Sequence, residues 1–347
     1  MTFRSSSLFP PAAPPTLPIM TVVEGLPWLA EDLVRVETAL REAVQTGDPF
    51  LTDVASHLIG AGGKRIRPAL ALCAGYAAGG GGPVSDDVVT GAVAIELVHL
   101  GSLYHDDVID ESSTRRGVES VNHRWSNIVA ILAGDFLLAR ASSLAASLGV
   151  EVAGILAATI GELCQGQVLE LQRLYDVNRD EAAYFGSIEG KTAALMASAC
   201  RIGAIVGGLD RAAVEALTGY GRHVGMVFQI VDDILDLTAT DEELGKPSGL
   251  DLAEGIYTLP VIYALRDSTE LRALLGRPLD GDAVALGRRL TCANGSITTA
   301  LQVAQTHVDR AAATLTDAKV DHTVTDALTR LSRQILDRVR PAGVASL

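Results

Sequence analysis

Asp106 and Asp110 stand four residues apart at the end of an apolar run that begins at Glu96. On a helix that spacing puts both carboxylates on one face, a turn apart. His99, seven residues before Asp106, falls two turns away on the same face. Arg115 and Arg116 follow a Ser112–Ser113–Thr114 run that marks the helix end. Paired carboxylates beside two guanidinium groups can hold hard cations and the phosphate oxygens those cations bind. A single copy would be matched equally by a solvated charge cluster at a helix C-terminus. A second copy, Asp232–Asp233–Ile234–Leu235–Asp236, again closes an apolar run, 126 residues later (232 − 106). Two such helices facing each other would give a cavity an acidic rim. Like charge at that density calls for divalent ions, and oxygen ligands at one-turn spacing suit Mg²⁺.

The elements that must position these groups read as helices. Apolar residues make up 48% of the 347 and aromatics only 4%, so the core is built from Ala, Leu, Val and Ile. Alanine is the best helix former and lets helices pack closely, which predicts an all-α protein. Helical pattern is expected at 29–44, after a glycine-rich turn at Gly60–Pro68 to about Ala78, and from a cap at Asp86 or Asp87 to near Asp110. It continues over 127–148, 152–174, 179–208, 212–236, 258–267, 283–290 and 296–339, with no strand run. Residues 238–255 read as a surface loop or lid. Residues 1–20 are Pro- and Ser-rich and read as a disordered tail, with Met20 as an alternative start; 21–347 read as one helical domain.

The net charge of −14 argues against nucleic acid and anionic membrane surfaces as partners. Cys73, Cys164, Cys200 and Cys292 form no C-x-x-C pair and are expected as reduced core residues of a cytoplasmic protein. Neither a secretory signal nor a transmembrane helix is expected, since runs such as 193–209 are interrupted by Arg201 and glycine.

From about residue 25 onward the chain resembles the trans-isoprenyl diphosphate synthases, the polyprenyl synthetase family. The resemblance rests on Gly62–Gly63–Lys64–Arg65–Ile66–Arg67–Pro68, His99, the first aspartate motif with Arg115–Arg116, and Lys191–Thr192. It extends through Phe228–Gln229 with the second aspartate motif and Gly245–Lys246 with Asp251. It implies one large helical bundle of the isoprenoid synthase type around an elongated central cavity, assembled as a homodimer. The implied reaction joins isopentenyl diphosphate to an allylic diphosphate, with about three Mg²⁺ ions per site, replaceable by Mn²⁺. Asp106, Asp110, Asp232 and Asp236 are then metal ligands. Arg115, Lys191, Thr192, Gln229 and Lys246 serve the allylic diphosphate. Lys64, Arg67, His99 and Arg116 form a metal-free pocket for isopentenyl diphosphate, with Lys64 and Arg67 on one helix face. Ile256 stands where family members often carry lysine, which puts one diphosphate contact in doubt.

Each assignment has a plainer counterpart. His99 on an apolar helix can be a satisfied core histidine, Lys191–Thr192 an ordinary polar turn, and Gln229 a buried amide. Gln165, Gln167 and Glu170 read either as pocket polar groups or as helix-pairing residues and are left out of the site. Asp107 and Asp233 point about 100° away from Asp106 and Asp232 and are expected to support them. A class I terpene cyclase would share the first motif, but the second motif and the Lys64/Arg67/His99 set argue against it. A non-catalytic partner subunit would be expected to lose acidic residues, and all six motif aspartates are present. A calcium-binding structural protein would need a glycine-bearing ligand loop. Gly101 and Ser102, both small and one turn before Asp106, are expected to leave the cavity floor open, giving a product longer than C20, with a short-chain synthase as the alternative. Tyr104 falls on another side of the helix.

Overall fold

Leu29, Leu33, Val36 and Leu40 recur at three- and four-residue spacing and are all buried, which makes the first amphipathic helix, α1 (Leu29–Ala43). The computed structural model describes residues 26–79, 81–244, 247–293, 295–316 and 318–339. The tail expected at 1–20, the alternative start Met20, and Gly245–Lys246 lie outside the described residues. α2 (Pro49–Gly60) opens on the Asp48 cap, whose carboxylate accepts the Phe50 N–H. α3 (Ile66–Tyr76) follows the glycine turn, where Gly62 and Gly63 have φ of 79° and 151° and Arg65 itself is left-handed at φ 46°. Lys64 therefore precedes the helix instead of sharing a face of it with Arg67, correcting the expected register.

α4 (Asp86–Ile109) is capped by Ser85, not by Asp86 or Asp87. The Ser85 hydroxyl accepts the Val88 N–H, and the two aspartates fill the first turn, where the helix dipole favours them. A hairpin unforeseen in the sequence, β1 (Thr114–Arg115) with β2 (Val118–Glu119), comes next. Its turn residues Arg116 and Gly117 have φ of 53° and 77°, the doubly positive pair of a tight two-residue turn. The chain then forms α5 (Val121–Arg124), α6 (Asn127–Ser147), α7 (Val150–Leu171) and α8 (Glu181–Ile188). A π-helical turn (Glu189–Ala193) leads directly into α9 (Ala194–Val206), followed by the long α10 (Arg211–Thr238). The expected lid holds two short helices, α11 (Asp241–Leu244) and α12 (Leu250–Glu254). α13 (Leu259–Asp267), α14 (Thr269–Leu274), α15 (Gly281–Cys292), α16 (Ser296–Thr316) and α17 (His322–Asp337) complete the bundle.

The molecule is all-α, as its alanine-rich composition predicts. α9 packs on α3, α4 and α10, and thereby sets the two aspartate-bearing helices on either side of itself. A large core unites these elements, and a smaller cluster around Leu252, Tyr257 and Leu271 seats the lid region.

Three expectations change. Cys73 and Cys200 are buried, but Cys164 and Cys292 are exposed on helix surfaces. Three helices, α4, α6 and α7, are long and apolar enough to cross a membrane by length and composition. The charge-interrupted run at 193–209 was the wrong place to look. α4 is core, yet only 33% of the apolar window of α6 and 22% of that of α7 is buried, with Ile128, Leu132, Val168 and Leu169 exposed. Gly101 does not face open space: a Cβ there would press on the Gly134 carbonyl at 3.1 Å and on Leu138. Its smallness serves the α4–α6 crossing, so the floor assignment passes to Ser102 alone. Tyr104 does lie on another side, buried and donating its hydroxyl to the Val54 carbonyl (2.7 Å).

Candidate active site

Both aspartate motifs sit at helix C-termini, Asp106 and Asp110 ending α4 and Asp232 and Asp236 in the last turns of α10. Helix dipoles disfavour negative charge there, so the fold holds these carboxylates against local stability. Burial, then the neighbouring Asp110, pushes the Asp106 carboxyl up to about 6 even though Lys191 pulls it down. Asp110 is raised as well, chiefly by burial. Such strain is relieved by cations.

The two aspartates turned away from the rim act as supports. Asp107 is fully buried and accepts the Arg115 Nε–H at 2.7 Å, which fixes that guanidinium beside the first motif. Asp233 is buried too, receiving the Tyr184 hydroxyl (2.6 Å) and Gln229 Nε2 (2.8 Å), and burial raises its carboxyl. Gln229 Oε1 accepts the Thr192 hydroxyl at 2.7 Å. Gln229 and Thr192 thus brace the second motif, and the second Nε2–H of Gln229 is left for a ligand in the small cleft that it lines.

Lys191 stands on the π turn, and its Nζ donates to Glu170 Oε1 at 2.6 Å. Burial works against its charge, but Glu170, Asp106 and Asp110 more than offset that and raise it. The close approach is made by glycines: a Cβ on Gly166 would meet the Lys191 backbone nitrogen at 2.4 Å, and one on Gly190 the Glu162 carbonyl at 2.7 Å. A cleft of about 240 Å³ beside Asp110 is lined by Gln167, Glu170, Tyr175, Glu254 and Ile256. A smaller one of about 70 Å³ carries Lys191, Gln229 and Asp233. Glu170 belongs to both, so of its two readings the structure favours the pocket group over the helix-pairing residue. Its sequence signal was a carboxylate within the polar cluster of Gln165 and Gln167 on an apolar helix. Asp236 is buried against the first turn of α12, where its Oδ2 accepts the Asp251 N–H at 3.3 Å.

A second pocket, of about 270 Å³, gathers Lys64, Arg67, His99 and Arg116, the same four residues expected there, together with Phe228. Arg116 donates to the Gly62 carbonyl, and Lys64 lies over the Phe228 ring at 5.8 Å. Buried Glu96 and half-buried Glu37 pair with Arg65, which lends the basic cluster its internal counter-charge. Burial lowers Arg67 and Arg116, and burial followed by those two guanidiniums lowers His99 well below its usual value. The Arg67 Nε is buried without a hydrogen-bond partner among the described residues. A neutral imidazole, crowded guanidiniums and an orphaned donor make a cavity fitted to an anion without a metal. Arg67 lies within electrostatic reach of both Asp106 and Asp232, so this pocket adjoins the acidic rim.

Among the described residues no three His, Cys, Asp or Glu side chains converge to hold a metal by themselves. That fits Mg²⁺, which binds through one or two carboxylates and takes its remaining oxygens from phosphates and water. The donors are all carboxylate oxygens, and Asp106 and Asp110 make no ion pair among the described residues, so the rim suits such an ion.

These features define an all-helical protein with a basic pocket adjoining an acidic rim. The polyprenyl synthetase family pattern matches residues 48–284, and the chain belongs to that family. It is 44% identical over 241 residues to heptaprenyl diphosphate synthase component 2 of Geobacillus stearothermophilus, covering 69% of this chain and 74% of that one. It is 42% identical over 255 residues to nonaprenyl diphosphate synthase of Mycobacterium tuberculosis, covering 72% and 76%. Among solved structures it resembles a Caulobacter crescentus polyprenyl synthase complexed with calcium and isoprenyl diphosphate. That match has a TM-score of 0.85 and 34% identity, and covers 94% of this chain and 99% of the other. The protein is a prenyltransferase.

Proposed function

We propose that the protein condenses isopentenyl diphosphate with an allylic diphosphate, head to tail, to an all-trans polyprenyl diphosphate longer than C20, in the C30–C50 range. The observation that carries this reading is the pair of adjoining sites: a metal-free basic pocket and an acidic rim, each suited to one diphosphate. Asp106, Asp110 and Asp232 would hold Mg²⁺, with Asp236 reaching it only from beneath the lid. When bound, the ions neutralise the diphosphate that leaves as the allylic C–O bond breaks. Arg115 and Lys191 stabilise the same developing charge directly. Lys64, Arg67, His99 and Arg116 hold isopentenyl diphosphate so that its double bond meets the allylic cation. A proton is then lost and the lengthened diphosphate remains. Lys246 would add a cation from the lid. Incubation with Mg²⁺, isopentenyl diphosphate and a short allylic primer, followed by mass analysis, tests the reading. Diphosphate release without isopentenyl diphosphate consumption would favour a cyclase.

The two relatives named for C35 and C45 products support the long product, as does Ser102. Its side chain is small and its hydroxyl is turned back on the His99 carbonyl (2.9 Å). Ser102→Phe is expected to shorten the product while isopentenyl diphosphate is still consumed. A wild-type product of C20 or less, or no shortening in the variant, would overturn this account of the floor.

The exposed apolar faces of α6 and α7 would be covered by a second copy of the chain. Ile128, Ile131 and Leu132 on α6 and Val168, Leu169 and Leu171 on α7 are left exposed on consecutive helices. Ile128→Asp with Leu132→Asp is expected to convert a dimer to a monomer in light scattering. A monomeric wild type, or activity only with a different subunit, would replace the homodimer with another assembly. Four unpaired cysteines suit a reducing cytoplasm.

A further inference from the structure

Asp232 differs from the rim carboxylates opposite it. Among the described residues, neither Asp106 nor Asp110 makes an ion pair, but Asp232 Oδ1 accepts Arg338 Nη1 at 2.9 Å. Arg338 lies 106 residues away, just past the end of α17, and that helix is packed on α10, α16 and α3. The Tyr220 hydroxyl, donated from α10 to the Leu328 carbonyl at 2.7 Å, fixes α17 against the helix that bears Asp232. Lys64 lies within electrostatic reach of both Asp232 and Arg338, so the pair stands at the seam between the basic pocket and the acidic rim. Both partners are partly exposed, at 26% and 37%, which leaves the contact open to exchange with ions from solvent.

We propose that Arg338 is a tethered counter-cation for Asp232, which holds the second aspartate motif while no metal is bound and yields when a divalent cation takes its place. The proposal rests on Asp232 being a metal ligand. One carboxylate oxygen cannot serve the guanidinium and a divalent ion at full strength together, so the arginine opposes metal entry at Asp232. Displaced, it leaves α17 without its tie to α10 at that end. The C-terminal turn of the chain thereby senses whether the rim is charged.

The test is titration of the full-length protein, without substrate, with Mn²⁺ followed by electron paramagnetic resonance. Exposed ion pairs of this kind weigh modestly, so Arg338→Gln is expected to bind Mn²⁺ about two- to fivefold more tightly than wild type. Arg333→Gln removes the same charge from an exposed position on α17 and should match wild type. Hydrogen exchange at 335–339 should quicken when Mn²⁺ is added to wild type, and should already be quick in Arg338→Gln. Equal titrations for wild type and Arg338→Gln, whether tight or undetectable, overturn the proposal. So does weaker binding in the variant. Asp232→Asn separates the two readings. If it binds Mn²⁺ as wild type does, the metal assignment of the second motif fails; if it loses binding while Arg338→Gln is unchanged, only the counter-cation role fails.

Discussion

Asp106→Asn is expected to lower kcat by about 10²–10³ at saturating Mg²⁺ and substrates, and Asp232→Asn to do the same, with the fold intact. Each change keeps the side chain's shape and removes one negative oxygen facing the leaving diphosphate. A loss of this size is typical when one preorganised electrostatic contact to a developing charge disappears. Melting temperatures discriminate the cause. Asp106 is a partly buried, raised carboxylate beside Asp110 at a helix C-terminus, so its neutralisation should leave stability unchanged or improved. A catalytic group shows activity falling while stability does not. Turnover near wild type in either variant would remove the metal scheme.

The second large effect divides the two pockets. Arg67→Ala and Lys64→Ala should raise KM for isopentenyl diphosphate about 10- to 100-fold, the range expected for one lost charge-assisted hydrogen bond, and hardly move KM for the allylic substrate. Lys191→Ala should do the reverse. It also leaves Glu170 buried beside Asp106 and Asp110 without its cation, so the double variant Lys191→Ala/Glu170→Gln should recover stability but not allylic affinity. If the Michaelis constants change in the opposite pattern, the pockets have been exchanged.

The residues that bear charge toward ligand were legible because chemistry limits them to few types at fixed spacings. Lys64, Arg67, His99 and Arg116 come from a turn, two helices and a hairpin, yet they meet in one cavity as expected. What stayed hidden were the groups that hold them. Glu170, Glu96, Tyr184 and Arg338 act through partners 21, 31, 49 and 106 residues away, and no local periodicity encodes such pairings. Gly101 shows the converse limit. A small residue near a site reads equally as space for substrate or as a seat for a neighbouring backbone, and only the position of Gly134 decides. The π turn at Glu189–Ala193 was also invisible: Gly190 within it reads as an isolated helix glycine, and only the close approach of Gly166 across from it shows why it is there.

The hairpin after α4 has adjacent arginines serving opposite neighbours. Arg115 is tied to Asp107, within the first aspartate motif, and Arg116 to Gly62, at the rim of the basic pocket. A surface turn usually absorbs insertions and deletions freely. This one has less freedom, since gaining or losing a residue in it shifts the pairing of Thr114 with Glu119 and of Arg115 with Val118. The ties of Arg115 to Asp107 and of Arg116 to Gly62 would then be displaced together. The length of this surface turn is therefore set by what its two arginines hold.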